Sequence, residues 1–514
     1  MRDPERLHTA AALPPRYRGR ALRVLLACLL MLPPAIAMAS ETAATTPDTT
    51  VAAVERMVDA GQFHAADARI GAALQDSATS EAARTALRFQ RDRMHRILLD
   101  FDLDANQAKA KVRKEIPGLT EAEFAEWDAK GLFERKVIDG EVRYFNRSPS
   151  NLFRLSPEAS ALRKVQTPLL PSGLPPRMTK AVTAYDQRVI GAARSSGRTS
   201  VMPQRVEVTQ SLIVDAGAVP AGKTVGAWIP YPQSIPGQQE DIEFVRSVPT
   251  RHKIAPESAL QRTVHLEQVA EAGKPTKFSI TYRVTLYAQY HPIDPDKAVP
   301  ARITPELAPY VAERAPHIVF TEPLRVFSRQ VVGNTKNPYR IAQKLFAAVD
   351  EIPWAGAREY STIPDLSAYT LQAGHGDCGE QTMLLITLLR MNGIPARWQS
   401  GWIFTRYGYD NIHDWAEVYL APYGWVPIDV TYGQLGSGDP SLHWFYLGGL
   451  DNFRIAFNND FGTRFVPPKQ HFRSDTVDSQ RGEVEWDGGN LYYDQWRYHF
   501  DWQILPAKQH GNGK

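Results

Sequence analysis

A nine-residue run that is apolar on almost every side constrains the fold of this chain more than any other feature. The run extends from Met383 to Met391 and is typical of a helix that other elements cover all round. Gly393 and Pro395 follow the run and end the helix. A helix of this kind needs a core on every side, and 514 residues with 43% hydrophobic content are ample for one. We therefore expect the run to form a buried helix.

A thiol stands at the start of this predicted helix. The spacing of Asp377 and Glu380 is that of a capping box, which places Cys378 in the first turn. Three nearby glycines allow a tight approach of the chain to the thiol: Gly374, Gly376 and Gly379. Unpaired amides and the helix dipole at such a position favour the thiolate, which is the nucleophilic form of cysteine. The Cys378 amide is also a candidate oxyanion donor.

The first 39 residues have the features of a secretory signal. Basic residues precede the apolar run at 24–32, prolines break that run, and Ala37-Met38-Ala39 matches a cleavage site. We predict cleavage near Ala39-Ser40 and a periplasmic or secreted protein. The run is too short to span a bilayer, so no stable transmembrane span is expected after cleavage. A retained N-terminal anchor is the alternative, and a lipoprotein site at Cys28 is disfavoured because this cysteine lies inside the apolar run.

Cleavage would change both the cysteine count and the charge of the chain. It removes Cys28 and leaves Cys378 as the only cysteine, which excludes an internal disulfide framework. It also removes six arginines and two acids, so that the formal charge falls from +3 to −1. This charge gives no support to a nucleic-acid partner. A lone thiol in an oxidising compartment is either reactive, linked to another chain, or buried and inert.

A candidate base for the thiol lies on a predicted β-hairpin. HDWAEVYL (413–420) alternates as a strand, and WVPIDV (425–430) returns and carries Asp429 back towards His413. A carboxylate beside an imidazole holds the ring in one tautomer. The register decides whether the two meet: pairing of Leu420 with Gly424 across a three-residue turn puts Asp429 on the face of His413. A four-residue turn without a bulge would put it on the other face.

The rest of the chain divides into regions of different periodicity. We predict a multidomain α+β protein with an N-terminal helical region, a central β-sandwich and a C-terminal α+β core. The predicted boundaries are 1–39 for the signal, 40–165 for a mainly helical domain, 166–200 for a connector, 201–295 for the sandwich, 304–475 for the core and 476–514 for a strand-rich extension. The sandwich serves either as a docking module or as a structural companion to the core.

The blocks around the thiol and the hairpin resemble those of the transglutaminase-like superfamily. Together with the predicted signal, they make the chain similar to an exported bacterial member of that superfamily. GDCGEQTMLLITLLRMNGIPARW, HDWAEVYL and GWVPIDVT follow one another in the family's order. The resemblance covers under a quarter of the chain and implies a papain-type fold. It implies that Cys378 is the nucleophile, His413 the base and Asp429 the orienting acid. Two positions depart from the pattern: Asp414 replaces a small or apolar residue, and Gly379 stands where animal transglutaminases have tryptophan.

Three further residues are candidates for oxyanion or substrate contacts. Gln372 has the spacing of the oxyanion glutamine of papain-like proteases, His375 lies three residues before the thiol, and Trp354 lies in an aromatic region upstream. For each of them the alternative is an ordinary solvated or packing role. His375, His413 and His443 lack the spacing of a metal site, so neither a metal nor a cofactor is expected.

Three hypotheses for function remain open on the sequence. The first is a cysteine amidase or peptidase that passes through a thioester released by water. The second is a transamidase, in which an amine releases the same thioester. The third is a non-catalytic binding module. The expected partner is a peptide, a protein or a cell-wall peptide, and the sequence leaves the oligomeric state open.

Overall fold

The computed structural model describes residues 49–165, 176–404 and 410–506, with side chains of the second range from residue 180 onward. The predicted signal, part of the connector and the last eight residues lie outside these ranges. No helix in the described ranges is long and apolar enough to cross a bilayer.

The N-terminal region is helical with one hairpin. Its elements are α1 (Thr49–Asp59), α2 (Phe63–Gln75), α3 (Glu81–Asp100), α4 (Ala105–Glu115), α5 (Glu121–Ala129), β1 (Arg135–Ile138), β2 (Glu141–Tyr144), α6 (Ser148–Leu155) and α7 (Pro157–Ala161). A capping box of Thr120 and Glu123 begins α5. Asp139-Gly140 turns the hairpin with both residues at positive φ. Two small apolar cores hold these elements together.

A long helix and six strands follow. They are α8 (Pro176–Ser196), β3 (Ser200–Val214), β4 (Thr224–Pro230), β5 (Gln239–Val248), β6 (His252–Ile254), β7 (Thr263–Val269) and β8 (Thr276–Tyr290). The sequence predicted a connector over 166–200, whereas 21 of these residues form α8. Val189, Ile190 and Ala193 give this helix a buried stripe at helical spacing. Its polar character outside that stripe explains why composition alone suggested a linker.

The elements that carry the predicted site come next. They are α9 (Glu322–Val332), α10 (Pro338–Asp350), α11 (Leu366–Ala373), α12 (Cys378–Met391), β9 (Ala396–Ile403), β10 (Asn411–Leu420), β11 (Gly424–Ile428), α13 (Pro440–His443), β12 (Gly449–Leu450) and β13 (Arg454–Asn458). All residues of α12 except the first and last are buried, which confirms the prediction of a helix covered on every side. A four-stranded sheet in the order β11-β10-β9-β13 packs against α12.

The chain ends in β14 (Glu483–Trp486), β15 (Gly489–Leu491) and β16 (Trp496–Ile504). These strands join two five-stranded sheets of the sandwich. One sheet has the order β12-β8-β3-β16 with β5 also on β8, and the other has the order β15-β14-β4-β7-β6. One apolar core fills the space between them and extends to Trp402 and Phe457 of the α12 sheet. Burial alternates along β3, as expected for a strand with one face in the core.

Candidate active site

The thiol lies in the first turn of α12 as predicted. The Asp377 carboxylate accepts hydrogen bonds from the amides of Gly379 and Glu380, each at 3.1 Å, and the Glu380 side chain accepts from the Asp377 amide at 3.0 Å. These capping hydrogen bonds do not involve the Cys378 amide, and no acceptor for this amide is found among the residues that the structure describes. The Cys378 side chain is half-buried. Its amide is therefore available to a bound oxyanion.

The register of the hairpin brings His413 and Asp429 together. Leu420 pairs with Gly424 and Ala416 with Ile428, so the turn has three residues and the predicted register is confirmed. Asp429 follows β11 directly and faces His413 across the hairpin. The His413 Nε2 and Asp429 Oδ2 atoms are 2.8 Å apart. Both side chains are buried.

Asp429 is held by four donors. Its Oδ2 also accepts a hydrogen bond from Arg454 Nη1 at 2.7 Å, and its Oδ1 accepts from the amides of Thr431 at 3.1 Å and Tyr432 at 3.3 Å. Burial alone would raise the pKa of Asp429, but His413 and Arg454 lower that pKa to about 2. An ionised carboxylate can only accept, so His413 Nε2 carries the proton. Whenever the ring is neutral, its lone pair is then on Nδ1.

The thiol is bonded to a different carboxyl group. Cys378 Sγ donates to Asp414 Oδ2 at 3.3 Å, and the Tyr360 hydroxyl lies 3.1 Å from the same oxygen and 2.8 Å from Asp377 Oδ1. The Gln480 amide donates to Asp414 Oδ1 at 2.7 Å. In the described structure no hydrogen bond joins Cys378 to His413. The thiol and the imidazole are therefore held by separate hydrogen-bond networks.

The expectation that the helix start favours the thiolate is wrong for this state of the protein. Burial, with the Asp414 and Asp377 carboxyl groups, raises the pKa of Cys378 well above its ordinary value. Burial and the neighbouring Asp478 and Asp377 likewise raise the pKa of Asp414 well above that of a free aspartate. The fractional charge of a helix end is small beside the effect of burial next to two acidic side chains. The thiol is neutral here.

Glycine at position 379 has a structural reason. A β-carbon there would lie 2.0 Å from the Tyr360 hydroxyl and 2.7 Å from Asp414 Oδ2. Any side chain would push this tyrosine and aspartate away from the thiol. Glycine at position 379, where animal transglutaminases have tryptophan, therefore makes room for the hydrogen bonds of Asp414 with Tyr360 and Cys378.

The other three candidates lie around the loop that precedes the thiol. Trp354 pairs with Gly376 in an isolated parallel bridge, and the Arg154 guanidinium lies 4.5 Å from its ring. Gln372 is exposed at the end of α11. Gln372 and half-buried His375 both line a cavity of about 350 Å³ beside the helical region. Burial lowers the pKa of His375. None of the three hydrogen-bonds to Cys378 within the described ranges, and their roles stay predictions.

Three residues of the site were missed because they come from distant parts of the chain. Arg454 opens β13 and is buried between Asp429 and Asp451, with Nη2 at 2.5 Å from the latter. The sequence gives only one indication of this role, which is that Arg454 is a charged residue at the start of an otherwise uncharged strand. Tyr360 and Gln480 carry no local signal for contact with Asp414. In the described ranges, no group of three or more histidine, cysteine or acidic side chains is arranged to hold a metal ion.

Comparison with known proteins gives one family match and several similar solved structures, among them the following three. Residues 325–430 match the Transglutaminase-like superfamily. A presumed cysteine protease from Cytophaga hutchinsonii is 15% identical, with 60% of this chain and 93% of that chain covered at a TM-score of 0.40. The periplasmic domain of TgpA from Pseudomonas aeruginosa is 13% identical, with coverages of 50% and 97% at a TM-score of 0.22.

A presumed protease from Parabacteroides distasonis is 11% identical, with coverages of 51% and 69% at a TM-score of 0.18. No curated protein gives a significant match. The predicted fold class is confirmed: the protein is mixed α and β, with N-terminal helices, several sheets and a transglutaminase-like core.

Proposed function

Taking residues 325–430 as a transglutaminase-like domain, we propose that the protein is an exported cysteine acyl-transfer enzyme that cleaves amide bonds. The observation that carries the proposal is the buried pair of His413 and Asp429. An ionised Asp429 fixes the Nε2–H tautomer and leaves the Nδ1 lone pair of His413 as a base. Cys378 is the nucleophile that this base serves.

The reaction begins with a rotation of the Cys378 side chain. Sγ leaves Asp414 and turns to His413 Nδ1, which takes the thiol proton as sulfur attacks the amide carbonyl. The free Cys378 amide donates to the oxygen that becomes negative. The protonated imidazole then gives its proton to the leaving amine, which leaves a thioester on Cys378. Water attacks the thioester, with His413 as base, and releases the acid.

A peptide library incubated with the protein tests this reaction. We expect mass spectrometry to find an acyl adduct on Cys378 and newly formed carboxyl termini in the peptides. Cys378→Ala and His413→Ala should abolish both signals, whereas the matched His499→Ala variant, at an exposed histidine, should keep them. Added methylamine distinguishes the two acceptors. Amide products without any hydrolysis would replace the hydrolase by the transamidase.

A binding module is the second candidate, and one observation favours it. The thiol is neutral, is bonded to Asp414, and has no hydrogen bond to His413 in the described structure. A protein that uses this fold only for binding has no need of a thiol poised against its base. In that case Cys378→Ala would retain the biological function, and a thiol-reactive peptide probe would leave Cys378 unlabelled at neutral pH.

Export is proposed from residues 1–39. Mass spectrometry of the protein recovered outside the cytoplasm should find a chain that begins at Ser40. A full-length chain recovered with the membrane would instead mean that the segment is retained as an anchor. Either result leaves the chemistry at Cys378 to be judged by the peptide experiment.

A further inference from the structure

A cavity of about 530 Å³ lies beside the proposed active site, within the usual size range of small-molecule sites. It is bordered by α8, the start of β3, the segment around Asp451 and the end of β16. Much of its wall is aromatic: Tyr185, Tyr432, Tyr446 and Phe453. The proposed reaction uses none of this space.

A buried carboxyl group without a partner lines the cavity. Asp186 is fully buried, yet neither of its oxygens has a hydrogen-bond partner among the described residues. The hydroxyl of Tyr446, also in the wall, is near enough to Asp186 to lower its pKa, but the two groups do not meet the geometry of a hydrogen bond. Buried polar groups are almost always hydrogen-bonded, because an unsatisfied one is costly. An unsatisfied carboxyl that borders a ligand-sized cavity indicates that a donor group arrives from outside.

The charges around the cavity indicate what kind of donor this is. Asp451 is paired with Arg454 at 2.5 Å and Arg205 with Glu243 at 3.0 Å, so these lining residues are already neutralised. Asp186 remains as an unpaired acid in the interior. Arg188 is exposed, lies over the Tyr185 ring at 5.1 Å and forms no ion pair within the described ranges. The cavity therefore presents an acid inside, a base at the surface and aromatic rings between them.

We propose that this cavity binds a small zwitterion with a free amino group, of the amino acid or short peptide class. The ammonium group would lie against Asp186, where three N–H donors satisfy the carboxylate and the tyrosine rings favour a cation. The carboxylate of the ligand would pair with Arg188. The site does not depend on the proposed chemistry, since neither Cys378 nor His413 lines the cavity.

Binding would be coupled to proton release. Burial and the Asp451 carboxylate raise the pKa of Asp186 well above its ordinary value, although Tyr446 and Arg454 oppose the shift. The carboxyl group therefore keeps its proton to a higher pH than a free aspartic acid does, and it must lose that proton to pair with an ammonium group. The other titratable or charged side chains that face the cavity are Tyr185, Arg188, Arg205, Tyr432 and Asp451.

The cavity has a physical connection to the proposed catalytic pair. Tyr432 lines the cavity and packs edge-on against the His413 ring at 5.4 Å. Arg454 links Asp451 to Asp429 by hydrogen bonds of 2.5 and 2.7 Å. The ligand would therefore lie on the Asp429 side of the histidine and away from the thiol.

Calorimetry on the Cys378→Ala protein tests the proposal without turnover. We expect the dipeptide alanyl-alanine to bind, with an apparent enthalpy that depends on the ionisation enthalpy of the buffer because about one proton is released. Propylamine should bind more weakly at the same site, and propionate should not bind. Asp186→Asn should weaken binding of the dipeptide about tenfold or more and remove the buffer dependence. Arg188→Gln should weaken binding of the dipeptide but leave binding of propylamine unchanged, because propylamine has no carboxylate.

A second variant keeps the test decisive if Asp186→Asn does not fold. Ala181→Phe fills the cavity from a half-buried position of α8 without changing Asp186, and it should abolish binding. The proposal is overturned if the folded Cys378→Ala protein gives no heat with alanyl-alanine or propylamine. It is equally overturned if the dipeptide binds as tightly to Asp186→Asn or Ala181→Phe as to the parent. Failure here would leave the peptide-cleavage result untouched.

Discussion

Two buried aspartates, one bonded to the imidazole and one to the thiol, have similar exposure but opposite charge states. Asp429 accepts from an imidazole, a guanidinium and two amides, and its pKa falls to about 2. The bonding partners of Asp414 are a thiol, a phenol and an amide, and further acids lie beside it, so its pKa rises well above the usual value. Burial is common to both. The neighbouring charges decide which carboxyl group stays ionised.

This difference explains the separate tasks we assign to the two sides. The Asp429 side keeps a fixed negative charge and with it the orientation of His413. The Asp414 side keeps the Cys378 thiol neutral until the side chain turns to the imidazole. The following substitutions test this contrast, starting with the largest expected effect.

Removal of the cation on the Asp429 side should have the largest effect. Arg454→Met leaves Asp429 and Asp451 buried without their guanidinium, and breaking a buried pair of this kind costs about 3–5 kcal/mol. Chemical denaturation should show this decrease in the free energy of unfolding. The matched control is Arg497→Met in the exposed pair with Asp215, which should change it by less than about 1 kcal/mol. Equal effects in both variants would contradict the role of Arg454.

The pH dependence of stability should have opposite signs on the two sides. The pKa of Asp429 is about 2 in the folded protein, below its ordinary value of 3.8. Its stabilising contribution is therefore complete above pH 3.8 and is lost as the pH falls towards 2. Between pH 4 and pH 2 the free energy of unfolding of the parent should fall by about 2 kcal/mol more than that of Asp429→Asn, as measured by chemical denaturation at each pH.

On the Asp414 side the neighbouring Asp478 should behave in the reverse way. Burial and Asp475 raise the pKa of Asp478 to about 7, so the folded state binds a proton that the unfolded state has lost. The parent should therefore lose stability as the pH rises from 4 to 7. Asp478→Asn should remove that part of the decrease. The same slope in parent and variant would contradict the charge state assigned to this side.

A smaller effect should follow from crowding near the thiol. In Gly379→Ala the new β-carbon meets the Tyr360 hydroxyl at 2.0 Å and should cost about 1–2 kcal/mol. Tyr360→Phe removes that oxygen, so in the double variant the alanine should cost less than in the parent. Gly436→Ala, where a β-carbon meets nothing within 4 Å, is the control. If Gly379→Ala costs as much stability in Tyr360→Phe as in the parent, the contact between the new β-carbon and the Tyr360 hydroxyl is contradicted.

The sequence contained the information for the locally determined features. Capping residues, periodicity and turn length predicted the start of α12, the strands of the sandwich and the register that joins His413 to Asp429. The charge state of the thiol was predicted wrongly. It depends on Asp414, on Tyr360, and on Asp478 and Gln480, which come from three separate segments, and no local pattern predicts that these segments meet. Helix α8 was missed because its buried stripe is narrow within a polar sequence.

The reactivity of Cys378 as a function of pH tests the central contrast most directly. We would measure the rate of its alkylation by iodoacetamide in the parent and in Asp414→Asn. We expect the parent rate to rise only above the ordinary thiol pKa of about 8.5, and the midpoint of the Asp414→Asn profile to lie lower. A parent midpoint at or below pH 7 that Asp414→Asn leaves unchanged would mean that the thiol is already ionised, and would contradict the account.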